Sequence, residues 1–302
     1  MSAPLLHPFS TPLSPPFSLS RRRCLQGLAS VGIALHAPGV WAAKPARMIS
    51  LSGALTEVVY LLSAQDQLVA TDTTSLYPEA ALRTPKVGYM RQLAAEGVLS
   101  LRPDVVIGTQ EAGPAVVLDQ IRQAGVRVAL LPVTHDWGEV MAKVTMVGRE
   151  TGREAQAAQL AQRLDGEWAG VQAQVAKAAR KPRALFILSH GGAPQVAGRA
   201  TAADALIRYA GGVNAIGQFQ GYRALTAEAM ASAAPDVIIN STQGIEALGG
   251  EAAFWTRPEL ALTPAFARKA LVTLDASHLL GFGPRMPSAV KTVHERMQAF
   301  VA

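Results

Sequence analysis

The residues with the clearest chemical potential lie in Lys86-Val87-Gly88-Tyr89-Met90-Arg91. Pro85 and Gly88 make this segment a loop, and it follows the early strands, at the carboxyl end where α/β sheets present their ligands. A tyrosine in such a mouth loop ordinarily serves as an amphipathic wall. Arg91, two residues on, changes that reading. A phenol ionises at about pH 10 and is a poor anion at neutral pH. Ferric iron on its oxygen and a guanidinium nearby would both favour the phenolate. Tyrosinate is an axial ligand of haem iron, and a hard anionic oxygen holds the ferric state, which suits a carrier and discourages redox turnover.

Other candidates are open to two readings each. His190, in Leu188-Ser189-His190-Gly191-Gly192, stands just past a strand, where an imidazole could ligate iron or simply occupy a surface turn between glycines. Tyr222 is a second cleft candidate, read as an aromatic wall in preference to an iron ligand. Tyr77 precedes Pro78 and is read as loop structure held extended. Pro284-Arg285, after a glycine-rich turn, could meet ligand carboxylates or cap the neighbouring helix. Glu96 and Glu228 each begin a helix eight residues before a strand's aspartate. A single glutamate there complements the helix dipole, whereas a symmetric pair could dock onto two copies of a partner with basic sockets. His135, His278 and His294 show no metal-ligand spacing. The chain has no Gly-x-Ser-x-Gly elbow, no His-Glu-x-x-His and no dinucleotide glycine fingerprint after its first strand, so nothing supports a hydrolase or oxidoreductase.

The elements that must position these residues alternate strand and helix. Arg47 to Leu51, Gln67 to Thr71, Asp104 to Ile107 and Arg127 to Leu131 read as strands, with Ser52 expected to cap a helix through about Leu62. Helices are expected from Glu96 to Leu101 and from Val116 to Ala124, the latter closed by Gly125. The second half reads alike: strands at Arg183 to Ser189, Asp236 to Asn240 and Ala270 to Leu274, helices at Thr201 to Ala210 and Ser288 to Val301. The near-continuous apolar strands fit a parallel sheet covered on both faces. Ala95-Glu96 through Pro103-Asp104-Val105-Val106-Ile107 corresponds to Ala227-Glu228 through Pro235-Asp236-Val237-Ile238-Ile239, and Gly88-Tyr89 corresponds to Gly221-Tyr222 with a one-residue displacement. Between the halves, Glu154 to Ala179 is rich in Ala, Gln, Glu, Arg and Leu, a composition for one long helix weakened in the middle by Gly166 and Gly170.

The chain has 302 residues, 49% of them apolar and 17% charged, enough for a sizeable core. Its single cysteine, Cys24, excludes disulfide frameworks, cysteine-based zinc sites and catalytic thiols from the folded body. Three of the 28 basic residues are Arg21, Arg22 and Arg23. The remaining 25 face 22 acidic residues, too mild and scattered an excess for nucleic acid. That arginine cluster, the apolar run from Gly27 to Val40 and Val40-Trp41-Ala42 form the parts of an export signal, with Ser20-Arg21-Arg22 and Leu25 matching the twin-arginine type. Cleavage near Ala42 would deliver a soluble body to the periplasm, where ATP- and NAD-dependent chemistry is not expected.

From these residues outward, the sequence resembles the periplasmic haem-binding proteins of bacterial haem-uptake ABC transporters over essentially all of the mature chain. The stretches that carry the resemblance are Ser75-Leu76-Tyr77-Pro78, Pro85 to Gly97, Leu101-Arg102-Pro103-Asp104, Glu111-Ala112-Gly113-Pro114, Ala197-Gly198 with Thr201 to Ala205, and Leu279 to Arg285. The resemblance implies an α/β fold of two lobes joined by a long interdomain helix, like the class III periplasmic binding proteins. The expected division is a signal peptide over 1–42, an N-terminal lobe over 43–152, a linking helix over 153–180 and a C-terminal lobe over 181–302. It implies ferric haem b as the transported ligand, with Tyr89 as axial iron ligand supported by Arg91. His190 would add a second ligand and room for two stacked haems, and Tyr222 and Arg285 would contact the ligand. Glu96 and Glu228 would dock onto an ABC permease dimer, and an outer-membrane haem receptor system would lie upstream. Cobalamin and ferric siderophores travel on the same architecture, but an anionic oxygen ligand argues against cobalamin. A secreted haem enzyme would need an open distal side with acid–base residues.

Overall fold

Residues 45–189 and 193–301 are described by a computed structural model of the chain. The export signal, Cys24, the cleavage point near Ala42 and His190 lie outside the described residues. The first half builds a parallel four-stranded sheet in the order β2-β1-β3-β4, from β1 (Met48–Ser50), β2 (Leu68–Thr71), β3 (Val105–Thr109) and β4 (Arg127–Leu131). Successive side chains of a strand face opposite sides of its sheet. Met48, Val105 and Ile107 accordingly join one apolar cluster with Leu55 and Val58 of α1 (Gly53–Leu61), while Ile49 and Val106 join another with Ile121 of α3 (Ala115–Gln123). Both faces are covered, which is why β3 opens on the apolar run Val105-Val106-Ile107 and is buried along its length. Ser52 holds the expected cap position before α1, but its hydroxyl makes no capping hydrogen bond. The helix predicted from Glu96 is α2 (Ala95–Ser100).

The second half repeats the plan with additions. Its sheet runs β10-β9-β5-β6-β8, where β5 (Arg183–Leu188), β9 (Val237–Ser241) and β10 (Leu271–Leu274) are parallel. The short β6 (Gln195–Ala197) and β8 (Tyr222–Ala224) extend it antiparallel, and β7 (Val213–Asn214) pairs with β5. Helix α6 (Ala202–Tyr209) starts at Thr201, whose hydroxyl accepts from the Asp204 amide, and α7 (Ala227–Ala233) matches α2. The repeat extends to single hydrogen bonds. Asp104 accepts from the Arg47 amide at 2.7 Å and Asp236 from the Arg183 amide at 3.0 Å. The Arg47 guanidinium donates to the Leu101 carbonyl at 2.7 Å, past α2, and that of Arg183 to the Ala233 carbonyl at 2.8 Å, in α7.

Two helices join the halves. The first, not expected from the sequence, is α4 (Trp137–Thr151), which is capped by Asp136 through the Glu139 amide and ends at Gly152 in the left-handed conformation. It turns directly into α5 (Glu154–Val175), the expected linking helix, unbroken at both glycines. Its 22 residues span about 33 Å at 1.5 Å per residue. The α4–α5 crossing is close at Gly148, where a Cβ would collide with that of Ala157. Trp168 of α5 stacks on Trp137 at 4.8 Å and meets Tyr209 of α6 edge-on at 5.1 Å, so the helix holds aromatic contacts in both halves. Beyond β9 the chain runs through α8 (Thr242–Ala247), α9 (Glu251–Phe254), α10 (Pro264–Arg268) and α11 (Ala276–Leu280) to α12 (Met286–Val301).

The turn between α11 and α12 reaches back to the first half. Lys143 of α4, 2% exposed, donates to Glu139 at 2.6 Å and to the carbonyls of Gly281 and Phe282 at 3.1 and 2.8 Å. Phe282 in turn packs against His135, with ring centroids 5.3 Å apart. A buried ammonium needs several acceptors to offset its lost hydration, and it finds three here, two of them across the halves.

Candidate functional site

Tyr89 sits at the tip of the loop between β2 and α2. Gly88, at φ +94°, makes the turn that a side-chain-bearing residue would strain to make, and Gly221 does the same before Tyr222 at φ +77°. Met90 and Leu93 are buried, and their backbones are laced to the loop after β3. Gly113 donates to the Met90 carbonyl at 2.9 Å and Leu93 to the Gly113 carbonyl at 3.0 Å. That lacing brings Glu111 beside Arg91. The Arg91 guanidinium donates one nitrogen to the Tyr89 phenol oxygen and the other to a Glu111 carboxylate oxygen, both at 2.6 Å. Tyr89 remains 36% exposed, so its oxygen is reachable from solvent. Burial alone would lower the Arg91 pKa; the Glu111 carboxylate, followed by Tyr89, reverses this and holds it above the ordinary value.

Tyr222, expected as a cleft residue, is half-buried at the start of β8. Burial holds its phenol above the ordinary value, the nearby Thr201 hydroxyl pulls it part of the way back, and the charges of Glu111 and Arg91 act on it with opposite signs. Two tyrosines from the two repeats therefore share the field of one Arg–Glu pair. Glu96 and Glu228 are both exposed, in equivalent first turns of α2 and α7.

Arg285, expected at the ligand or as a helix cap, is already paired within the fold. Its guanidinium is committed to Glu57 of α1 in a two-pronged ion pair at 2.8 and 2.6 Å, donates also to the Ser277 hydroxyl at 3.2 Å, and lies 3.9 Å over the Tyr77 ring. The fork that the sequence offers to a ligand carboxylate is thus engaged by a buried carboxylate of α1, and the pair joins the two halves. The Arg285 side chain does not cap α12, although its carbonyl accepts from the Ala289 amide there. A cavity of roughly 440 Å³ adjoins this ion pair, between Tyr60, Tyr77, Arg163 and Glu167, and shares no lining residue with the Tyr89–Arg91–Glu111 group. Among the described residues, no cluster of three or more His, Cys, Asp or Glu could hold a bare metal ion, and no helix is long and apolar enough to cross a membrane.

Glu111 is the member of the site that residue-by-residue reading assigned no role. The available signal was positional: an acidic residue directly after a buried parallel strand, where such sheets present ligands. What Tyr89, Arg91 and Glu111 can do together is present one oxygen to a hard cation, with a charge-assisted hydrogen bond that persists when the phenol ionises.

The profile of the periplasmic binding protein family matches residues 48–278. The chain is similar to the solved structure of the periplasmic heme-binding protein BhuT in complex with two hemes, at 45% identity and a TM-score of 0.81, over 85% of this chain and 99% of that one. It is also similar to the periplasmic heme-binding protein RhuT from Roseiflexus sp. RS-1, at 33% identity and a TM-score of 0.82, over 86% of this chain and all of the other. An uncharacterized ABC transporter substrate-binding lipoprotein of Bacillus subtilis, YvrC, is 24% identical over 83% of this chain and 80% of its own length. A vitamin B12-binding protein of Vibrio vulnificus is 33% identical, but over only 31% of this chain and 34% of its own length.

Proposed function

This chain belongs to the periplasmic binding protein family, and we propose that it captures ferric haem b in the periplasm and delivers it to an inner-membrane ABC importer. The observation that carries the reading is the exposed Tyr89 oxygen with the Arg91 guanidinium 2.6 Å away. Haem is cargo here. Bound ferric iron supplies the positive charge that draws the proton from the Tyr89 phenol. Arg91 then donates to the resulting phenolate, and the pair favours ferric over ferrous iron, so the cargo travels without redox chemistry. Tyr222 forms a wall on the side of the second half, and His190 is the second iron ligand, making room for a second haem. No bond of the ligand is made or broken, and the protein is a carrier, not an enzyme.

Glu96 and Glu228 dock onto the two subunits of the permease, one from each repeat, and their exposure in matching helix turns supports this reading. Residues 1–42 direct export by the twin-arginine route, with cleavage near Ala42. The two lobes run over 43–152 and 181–302 with the linking helix between, and an outer-membrane receptor supplies the haem. Cobalamin is the second reading. It rests on similarity confined to a third of the chain, and a phenol paired with a guanidinium is not what a cobalt corrinoid without an open oxygen site requires.

Titration of the mature protein with haemin, wild type against Tyr89→Phe and His190→Ala, tests the assignment. The tyrosine variant should lose the tyrosinate charge-transfer band, and the histidine variant should lose a second equivalent of haem. An unaltered ferric spectrum in Tyr89→Phe removes the ligand assignment.

A further inference from the structure

Arg91 is a long side chain on an exposed loop tip, and alone it would sample many rotamers at a cost in entropy each time it met the phenol. The structure holds it from the far side. Glu111 takes one terminal nitrogen of the guanidinium at 2.6 Å while the other meets the Tyr89 oxygen at the same distance. The glutamate is itself fixed at its root. Thr109 ends β3 with its carbonyl accepting from the Ala112 amide at 2.9 Å, Gln110 donates to the Leu131 carbonyl of β4 at 2.8 Å, and Gly113 exchanges two backbone hydrogen bonds with Met90 and Leu93. The acid therefore stands on the sheet, and the arginine leans on the acid.

The charges add a second effect. Ferric iron in a porphyrin dianion leaves a single positive charge, which the phenolate cancels. Arg91 restores a positive charge beside the iron, and Glu111 cancels that in turn. Without Glu111, the Arg91 charge would stand uncompensated beside an otherwise neutral phenolate–ferric unit.

We propose that Glu111 is a positioning residue for haem capture, holding the Arg91 guanidinium in register with the Tyr89 oxygen and balancing its charge so that the phenolate–ferric bond persists. The proposal rests on the reading of Tyr89 as the iron ligand. Glu111 acts through Arg91 and does not itself touch iron.

The test uses the mature protein loaded with haemin, with Glu111→Ala, Glu111→Gln, Arg91→Ala, Tyr89→Phe and the Arg91→Ala/Glu111→Ala double variant. The readouts are the ferric charge-transfer band and the rate of haem release to excess apomyoglobin. Because Arg91 and Glu111 are both partly exposed, the effect is that of a screened charge-assisted bond. Glu111→Ala should release haem about three- to tenfold faster and move the band toward that of Arg91→Ala. Glu111→Gln, which keeps an acceptor but no charge, should fall between it and the wild type. In the Arg91→Ala background, Glu111→Ala should add nothing, as expected for a residue that acts through another. Wild-type band and release rate in Glu111→Ala, or an additive effect in the double variant, would overturn the proposal. If Glu111→Ala is silent while Tyr89→Phe loses the band, only the role of Glu111 falls; if Tyr89→Phe is silent as well, the iron-ligand reading falls with it.

Discussion

Lys143→Met is the substitution that the joint between the halves should feel most. Methionine has similar length and no charge, so the change removes the hydrogen bonds to Gly281 and Phe282 and the ion pair to Glu139 with little loss of volume. The Glu139 side chain is 3% exposed and would be left as a buried, uncompensated carboxylate. Breaking a buried pair from one side costs about 3–5 kcal/mol. Glu139 keeps two backbone donors, the amides of Thr134 and His135 at 2.9 and 2.8 Å, which places the loss toward the lower end, about 3 kcal/mol. With a urea m-value of roughly 3 kcal/mol/M, the unfolding midpoint should fall by about 1 M. Adding Glu139→Gln should recover much of this, since the orphaned charge is the main cost. The pH dependence supplies an independent check. Burial lowers the Lys143 pKa below its ordinary 10.5, with Glu139 pulling it back up. In the window beneath 10.5 the unfolded chain therefore binds a proton that the folded chain resists, and wild-type stability climbs with pH there. Lys143→Met should abolish that climb. A midpoint within about 0.2 M of wild type, with the alkaline slope intact, would refute the view that this ammonium ties the halves together.

Gly148→Ala pushes a methyl group into Ala157 at the α4–α5 crossing and should destabilise by about 1–3 kcal/mol, read as a lowered melting temperature. Asp104→Ala and Asp236→Ala each remove a carboxylate acceptor from the first amide of a repeat, and both should cost about 1 kcal/mol in urea unfolding, the near-equality being the content of the prediction. Glu96→Ala with Glu228→Ala should abolish haem uptake in cells while leaving haemin titration of the purified protein unchanged; normal uptake refutes the docking assignment.

What the sequence made legible follows from the range of the forces involved. Strand and helix periodicities act between near neighbours, so β3, β9 and α5 were readable from their own residues, and the 132-residue offset between Ala95-Glu96 and Ala227-Glu228 fell on equivalent turns of α2 and α7. Helix α4 is hard to read because Gly138 and Gly148 sit among valines and threonines, residues of low helix propensity. Its signal was nonetheless present: Asp136 with Glu139 three residues on, the pattern of a helix start. The antiparallel β6 and β8 are hard to read for another reason: each is three residues long and carries an exposed polar residue, Gln195 or Arg223, where the equally short β1 is buried throughout. The site divides in the same way. Tyr89 and Arg91 are two residues apart and declared their partnership, whereas Glu111 joins them across twenty positions through backbone pairing that no local pattern encodes. Arg285 shows the failure most plainly. After a glycine-rich turn it reads as a cation for a ligand carboxylate or a helix cap, because its partner in the fold, Glu57, stands 228 positions earlier and is not announced by any neighbour in sequence. An arginine's availability is thus a property of the assembled fold, and a ligand contact inferred from its sequence neighbours holds only where no buried carboxylate has claimed it first.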